Sequence, residues 1–166
     1  MNFLDQIEKF DDKIALLNEV KTISYKDLLE KSERITKSLN KRKLIFLIGH
    51  NDIEFISTYV GCLKKKIVPL LLSSQIHYFF LENLIAEYKP HYILLPKNYQ
   101  IILSSFEKVL SLEKFFLYKI KKDEKYLLNS DLALLLSTSG STGNKKFVRV
   151  SYENLENNTK NICKYL

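Results

Sequence analysis

The 166-residue chain has no tryptophan, two cysteines, three prolines and four glycines. Glycine and proline this sparse exclude collagen-like repeats and low-complexity linkers. Two cysteines exclude a disulfide scaffold. Cys62 and Cys163 lie too far apart for a metal or redox pair and read as reduced thiols of a cytoplasmic protein. No secretory leader is expected, because Asp5 and Glu8 fall where its apolar segment would begin. Apolar runs such as Ile67 to Leu72 are far short of the roughly 18 residues a spanning helix needs, so no membrane span is expected.

Arginine is scarce as well. The 26 basic residues exceed the 19 acidic ones, giving a net charge of +7, yet Arg34, Arg42 and Arg149 are the only arginines. The lysines are scattered, with clusters at Lys64-Lys65-Lys66, Lys121-Lys122 and Lys145-Lys146. Specific nucleic-acid readers concentrate charge and use Arg forks, so a generally Lys-rich surface is the better reading. Non-specific attraction to polyanions at low salt goes with it. His50, His77 and His91 lack metal spacing and fit core or surface roles. Asp11-Asp12 fits a turn or cap, and no metal ligands or catalytic residues are assigned from composition.

What is present is 46% hydrophobic residues in an alternating order, enough for one core. Residues 24–42 predict a helix with Tyr25, Leu28, Ser32, Ile35 and Leu39 on one face, opened by a capping box from Ser24 to Asp27. The run 44–49 predicts a strand buried on both faces. Asn51 or Asp52 caps a helix to about Lys65, with Ile53, Ile56, Val60 and Leu63 inward. A strand at 67–72, a helix at 76–88 with Phe80, Leu84, Ile85 and Tyr88 on one side, and a strand at 91–95 follow. This order predicts an α/β fold: a parallel sheet with crossover helices. Beyond it, 100–114 reads as a helix, 115–120 as a strand, 123–124 as a turn and 126–128 as a short strand. Strands at 132–136 and 147–150 and a helix at 152–166 complete the chain, whose ten Tyr and ten Phe read mostly as core.

Two of the four glycines, Gly140 and Gly143, fall in the loop between the last two strands, Thr138-Ser139-Gly140-Ser141-Thr142-Gly143-Asn144-Lys145-Lys146. Glycine permits positive φ, so successive N–H groups can line an anion-holding nest. Ser139, Ser141 and Thr142 add hydroxyls, and Lys146 adds a mobile charge suited to phosphate. By composition alone the same residues also suit a solvated hairpin. The loop is not a Walker A motif, since Lys145 rather than glycine stands five residues after Gly140.

The order of residues 138–146 resembles the phosphate-binding signature of the adenylate-forming enzymes, which include acyl-CoA synthetases, peptide-synthetase adenylation domains and luciferases. That signature reads Ser/Thr-Ser/Thr-Gly-Ser/Thr-Thr-Gly-x-Pro-Lys, and only Lys145, at the proline, departs from it. Val150-Ser151-Tyr152-Glu153-Asn154-Leu155 resembles the helix entry that follows. Ala15-Leu16-Leu17 with Ile23 to Leu28 resembles the family's opening strand pair and helix. Asn51 to Phe55, Tyr59 to Lys64 and Val68-Pro69-Leu70 resemble the next helix and strand. Lys66 stands where the family usually has glycine, which costs roughly 1 kcal/mol if that position is left-handed.

The resemblance implies that residues 1–166 are the N-terminal portion of the domain, with the phosphate-binding loop at 138–146. It implies ATP and Mg²⁺ as cofactors, a carboxylic acid as substrate, and CoA or a carrier-protein thiol as acceptor. Thr138, Ser139, Gly140, Ser141, Thr142, Gly143 and Lys146 would hold the β and γ phosphates while the acid attacks the α phosphorus. A hydroxyl at Thr138 or Thr142 would reach Mg²⁺. The family's magnesium and adenine motif, ribose-binding Asp, hinge and C-terminal Lys lie further along, so the chain by itself is expected to be inactive. Two other readings stand beside this one: a non-catalytic nucleotide- or partner-binding remnant of the fold, and a basic polyanion-binding domain built on Lys64-Lys65-Lys66 and Lys121-Lys122.

Overall fold

The computed structural model describes residues 3–18, 21–101, 103–122, 125–137 and 147–165. A short helix α1 (Phe3–Gln6), a 3-10 turn and a two-stranded antiparallel sheet, β1 (Ile14–Leu17) with β2 (Thr22–Ser24), lead into α2 (Tyr25–Thr36). The predicted capping box is present: Asp27 N–H donates to Ser24 Oγ at 3.1 Å, and Ser24 N–H donates to Asp27 Oδ2 at 3.2 Å. The helix ends at Thr36, short of the predicted 42, because Leu39 N–H closes a turn on the Thr36 carbonyl.

Then come β3 (Leu44–Gly49), α3 (Ile53–Lys64), β4 (Val68–Ser73), α4 (Tyr78–Tyr88) and β5 (Tyr92–Pro96). After them are β6 (Phe106–Ser111), β7 (Phe115–Ile120), β8 (Leu132–Ser137), β9 (Phe147–Ser151) and α5 (Tyr152–Tyr165). The main sheet has the order β6-β7-β5-β3-β4-β8-β9. Strands β5, β3, β4 and β8 are parallel, while β7 and β9 run antiparallel to their neighbours. The expected parallel α/β sheet is therefore present, with antiparallel strands at both margins.

Strand β3 shows why an unbroken apolar run is needed. Leu44, Phe46 and Ile48 join the core that also holds Leu81 and Leu84 of α4. Ile45 and Leu47 join the opposite core, with Phe55 and Cys62 of α3. The period of two splits one run between two faces. The chain steps one way from β3 to β4 and the other way from β4 to β5, and right-handed crossovers then put α3 and α4 on opposite faces.

Four sequence expectations are corrected. The 100–114 helix is not formed: β6 pairs with β7 as an antiparallel hairpin. The buried Glu54 carboxylate takes the N–H groups of Glu113 and Lys114 at 2.8 and 2.9 Å, a long-range clamp on that turn which local periodicity cannot show. No strand forms at 126–128, where Tyr126 Oη donates to the Lys89 carbonyl instead. The buried residues of α3 are Glu54, Phe55, Ser57, Thr58, Gly61, Cys62 and Leu63, so Ile53, Ile56 and Val60 are only half-buried. Its small residues pack α2, where Ser32 and Thr36 return their hydroxyls to their own helix. On α4 Leu84 is buried, with Ile85 and Tyr88 half-buried against the same core as expected, but Leu81 rather than Phe80 completes the inward side. Phe80 is exposed, with Tyr78 and Phe79 beside it, so not every aromatic is core. The turn predicted at 123–124 lies outside the described residues.

Candidate functional site

The site singled out by the sequence is the connection from β8 to β9. Strand β8 begins with half-buried Leu132, then runs through buried Ala133, Leu134 and Leu135, apolar because it is covered on both faces. It pairs in parallel with β4 and antiparallel with β9, and the last rung of the β8–β9 ladder is Ser137 opposite Phe147. The loop thus leaves from the carboxyl end of a parallel strand, the end at which open α/β sheets bind ligands. Residues Thr138, Ser139, Gly140, Ser141, Thr142, Gly143 and Lys146 lie outside the described residues, as does Lys145.

The frame on either side of the loop is described. At its exit the Phe147 ring meets the Tyr88 ring edge-on, with centroids 5.3 Å apart. Desolvation raises the Tyr88 hydroxyl above its ordinary pKa, helped by Glu87 and opposed by Arg149. Further on, Ser151 and Asn154 cap α5 reciprocally: Asn154 N–H donates to Ser151 Oγ at 3.0 Å and Ser151 N–H to Asn154 Oδ1 at 3.2 Å. These are the Ser and Asn of the family-like helix entry, and their role is to fix the direction in which the chain leaves β9. At the other end of β8, Arg42 donates from Nη1 to the Leu132 carbonyl at 3.0 Å and from Nη2 to the Asn129 carbonyl.

Two clefts flank this frame. One, of about 640 Å³, opens at the carboxyl ends of β3, β4 and β5, between His50, Ser74, Gln75, Lys97 and Tyr99. Ser74 Oγ contacts the His50 ring there, and Tyr99 Oη donates to the Ile76 carbonyl at 2.6 Å. Burial pushes the Tyr99 hydroxyl up. The other, of about 790 Å³, lies under the hairpin, walled by Tyr88, Leu135, Phe147 and Leu128 with Arg149. Sequence reasoning missed Ser74, Tyr99 and Tyr88 as site neighbours. Their signal was positional only: the first two follow the carboxyl end of an apolar strand, and Tyr88 closes the α4 helix.

The remaining candidates are dispersed. His91 is buried, with its Nε2 3.0 Å from Lys43 Nζ and its Nδ1 3.0 Å from Tyr126 Oη. Cys62 is buried, which pushes its thiol far up, while Cys163 is exposed. Asp11 sits in a turn at φ 34°. Among the described residues no group of three or more His, Cys, Asp or Glu is placed to hold a metal ion. No helix among them is long and apolar enough to cross a membrane.

The sequence model of the AMP-binding enzyme family matches residues 3–165, and the chain belongs to that family. Among curated relatives it is 28% identical to zwittermicin A synthase ZmaJ of Bacillus cereus, over 93% of this chain and 31% of that protein. It is 30% identical to the D-alanine–D-alanyl carrier protein ligase of Listeria monocytogenes serotype 4b, over 80% of this chain and 29% of that one. The chain spans about a third of the length of these relatives. In fold it resembles the o-succinylbenzoate CoA synthetase of Bacillus subtilis solved with its acyl-adenylate intermediate. The TM-score is 0.74 at 18% identity, covering 99% of this chain and 46% of that one. CmiS6 is similar at a TM-score of 0.73 and 13% identity, covering 99% and 43%.

Proposed function

We propose that the chain supplies the ATP phosphate-binding portion of an AMP-forming carboxylic acid ligase. The supporting observation is the family match across residues 3–165, together with a glycine and hydroxyl loop following an apolar strand of a parallel sheet. In this reading the amides around Gly140 and Gly143, the hydroxyls of Ser139, Ser141 and Thr142, and Lys146 hold the β and γ phosphates. A substrate carboxylate attacks the α phosphorus, the bond to the bridging oxygen breaks, and the departing pyrophosphate keeps its charge against those donors. Mg²⁺, taken by oxygen ligands that include a hydroxyl of Thr138 or Thr142, would offset phosphate charge. The acyl group then passes to a thiol, of CoA or of a carrier protein. The carrier-protein ligases among the relatives favour the second. The reaction belongs in the cytoplasm, where ATP and reduced thiols coexist.

The test is acid-dependent pyrophosphate exchange in the natural full-length protein. Lys146→Ala weakens ATP use by about 1–3 kcal/mol, as for a charge-assisted contact, with little change in acid affinity. Lys145→Ala does much less. If Lys145→Ala proves the more damaging, the register of the loop is wrong. The 166-residue chain by itself supports no exchange.

A further inference from the structure

The lysine clusters that the ligase reading leaves unused converge on the end of the sheet opposite the phosphate loop. Lys41, Arg42 and Lys43 precede β3, Lys65 and Lys66 precede β4, and Lys89 precedes β5, so all stand at the amino ends of parallel strands. Lys121 and Lys122 follow the antiparallel β7 and reach the same end. Backbone bonds tie these segments into one surface. Arg42 N–H donates to the Lys66 carbonyl at 2.8 Å, and His91 N–H to Leu44 at 2.9 Å. Ile120 N–H donates to His91 at 2.9 Å, and Tyr126 Oη to Lys89 at 3.0 Å.

Helix dipoles explain part of this charge, since Lys37, Lys65 and Lys89 are the C-caps of α2, α3 and α4. They do not explain Lys41, Lys66, Lys121, Lys122 and Lys125, which are exposed and cap nothing. Acidic residues are also present at this end: Glu8 pairs with Lys64 at 2.7 Å, and Glu30 and Glu33 line the same cleft as Lys37 and Lys65, while Asp123 and Glu124 lie outside the described residues. Out of the same surface stands Leu127, directly after Lys125 and the Tyr126 anchor, with its side chain wholly exposed at 101%.

We propose that this basic end docks on an anionic lipid bilayer, with Leu127 entering the interface between headgroups. Spaced lysines are point charges suited to a sheet of phosphates, and Arg42 is committed to carbonyls rather than free to fork a base. A base-reading surface would be expected to add free Arg forks, which are lacking here among the described residues, whereas the bilayer boundary takes up a protruding aliphatic side chain. The anionic lipids of a cytoplasmic leaflet supply the complementary charge. The carboxyl end of β8 would then face away from the lipid.

The experiment is sedimentation of the full chain with vesicles. The chain is expected to bind phosphatidylcholine vesicles that contain phosphatidylserine, not pure phosphatidylcholine, and to release as salt rises. Lys122→Ala and Lys125→Ala each weaken binding about fivefold. Leu127→Ser, at an exposed position that leaves the fold intact, weakens it about tenfold. Equal binding to both vesicle types, no binding to either, or unchanged binding by Leu127→Ser overturns the proposal. Tighter binding of duplex DNA at the same salt, insensitive to Leu127→Ser, overturns it in favour of a nucleic acid. None of these outcomes bears on the ligase reading, because the loop is not involved.

Discussion

Gly61 sits where α3 crosses α2. A Cβ there would lie 2.7 Å from the Ser32 carbonyl oxygen and 2.7 Å from Thr36 Cγ2. Alanine is the better helix former by up to about 1 kcal/mol, but a backbone oxygen cannot step aside as a side-chain tip can. Gly61→Ala is therefore expected to lower stability by about 1–2 kcal/mol, read by urea denaturation. Lys66 makes the opposite case. Its φ of 55° is left-handed, the region in which glycine is the unstrained residue. Relief of that strain outweighs the freedom a glycine adds to the unfolded chain, so Lys66→Gly should raise stability by about 0.5–1 kcal/mol in the same assay. No change, or a loss, would mean the lysine side chain contributes more than its backbone costs.

Among the elements, those with a local cause were legible and those with a distant cause were not. The box between Ser24 and Asp27 is written in four consecutive residues, and α2 begins there. Strands β3, β4, β5 and β8 were readable because burial on both faces demands an unbroken apolar run. Strand β6 was not, since its apolar residues also suit a helix and the choice is made by Glu54, far away in sequence. The inward side of α3 was misread because small and polar residues, Ser57, Thr58 and Gly61, form a packing surface that apolar spacing ignores, whereas on α4 only Phe80 was misplaced. For the site, the apolar run that places β8 ahead of the loop was legible; the Tyr88 ring against Phe147 depends on tertiary packing.

The α2 box also has an acid limit. Hydrogen bonds from the Ser24 hydroxyl and backbone N–H hold the Asp27 carboxyl below its ordinary value. A lowered carboxyl adds stability above the ordinary range, near pH 4, and loses it as pH falls through the lowered value. Asp27→Asn should thus melt earlier than the unsubstituted chain at neutral pH, with the gap closing as pH falls below about 4. Ser24→Ala should cost about 1 kcal/mol. A gap that persists unchanged into acid would show that the carboxylate charge contributes nothing.

At the scale of the whole molecule, the sheet is unevenly stitched. Strands β3 and β4 share six rungs, and β8 and β9 share five, but β4 and β8 are joined through only Leu70–Leu135 and Leu71–Leu136 among the described residues. Pro69, just before those rungs, has no N–H to offer. The junction is reinforced from outside the ladder by Arg42 on the carbonyls of Asn129 and Leu132, and by Tyr152 Oη donating to the Leu63 carbonyl at 3.2 Å. A protein need not open all at once, and its weakest junction sets the order in which parts let go. The unit from β8 to α5 should release its amide protons to heavy water together and ahead of β3, β4 and β5. Arg42→Ala should hasten that release in β8 and β9 while leaving β3 protected. Strand β8, which leads into the segment proposed to hold phosphate, is then the hinge side of the molecule's first subglobal opening, so a ligand held by that segment would also close the sheet.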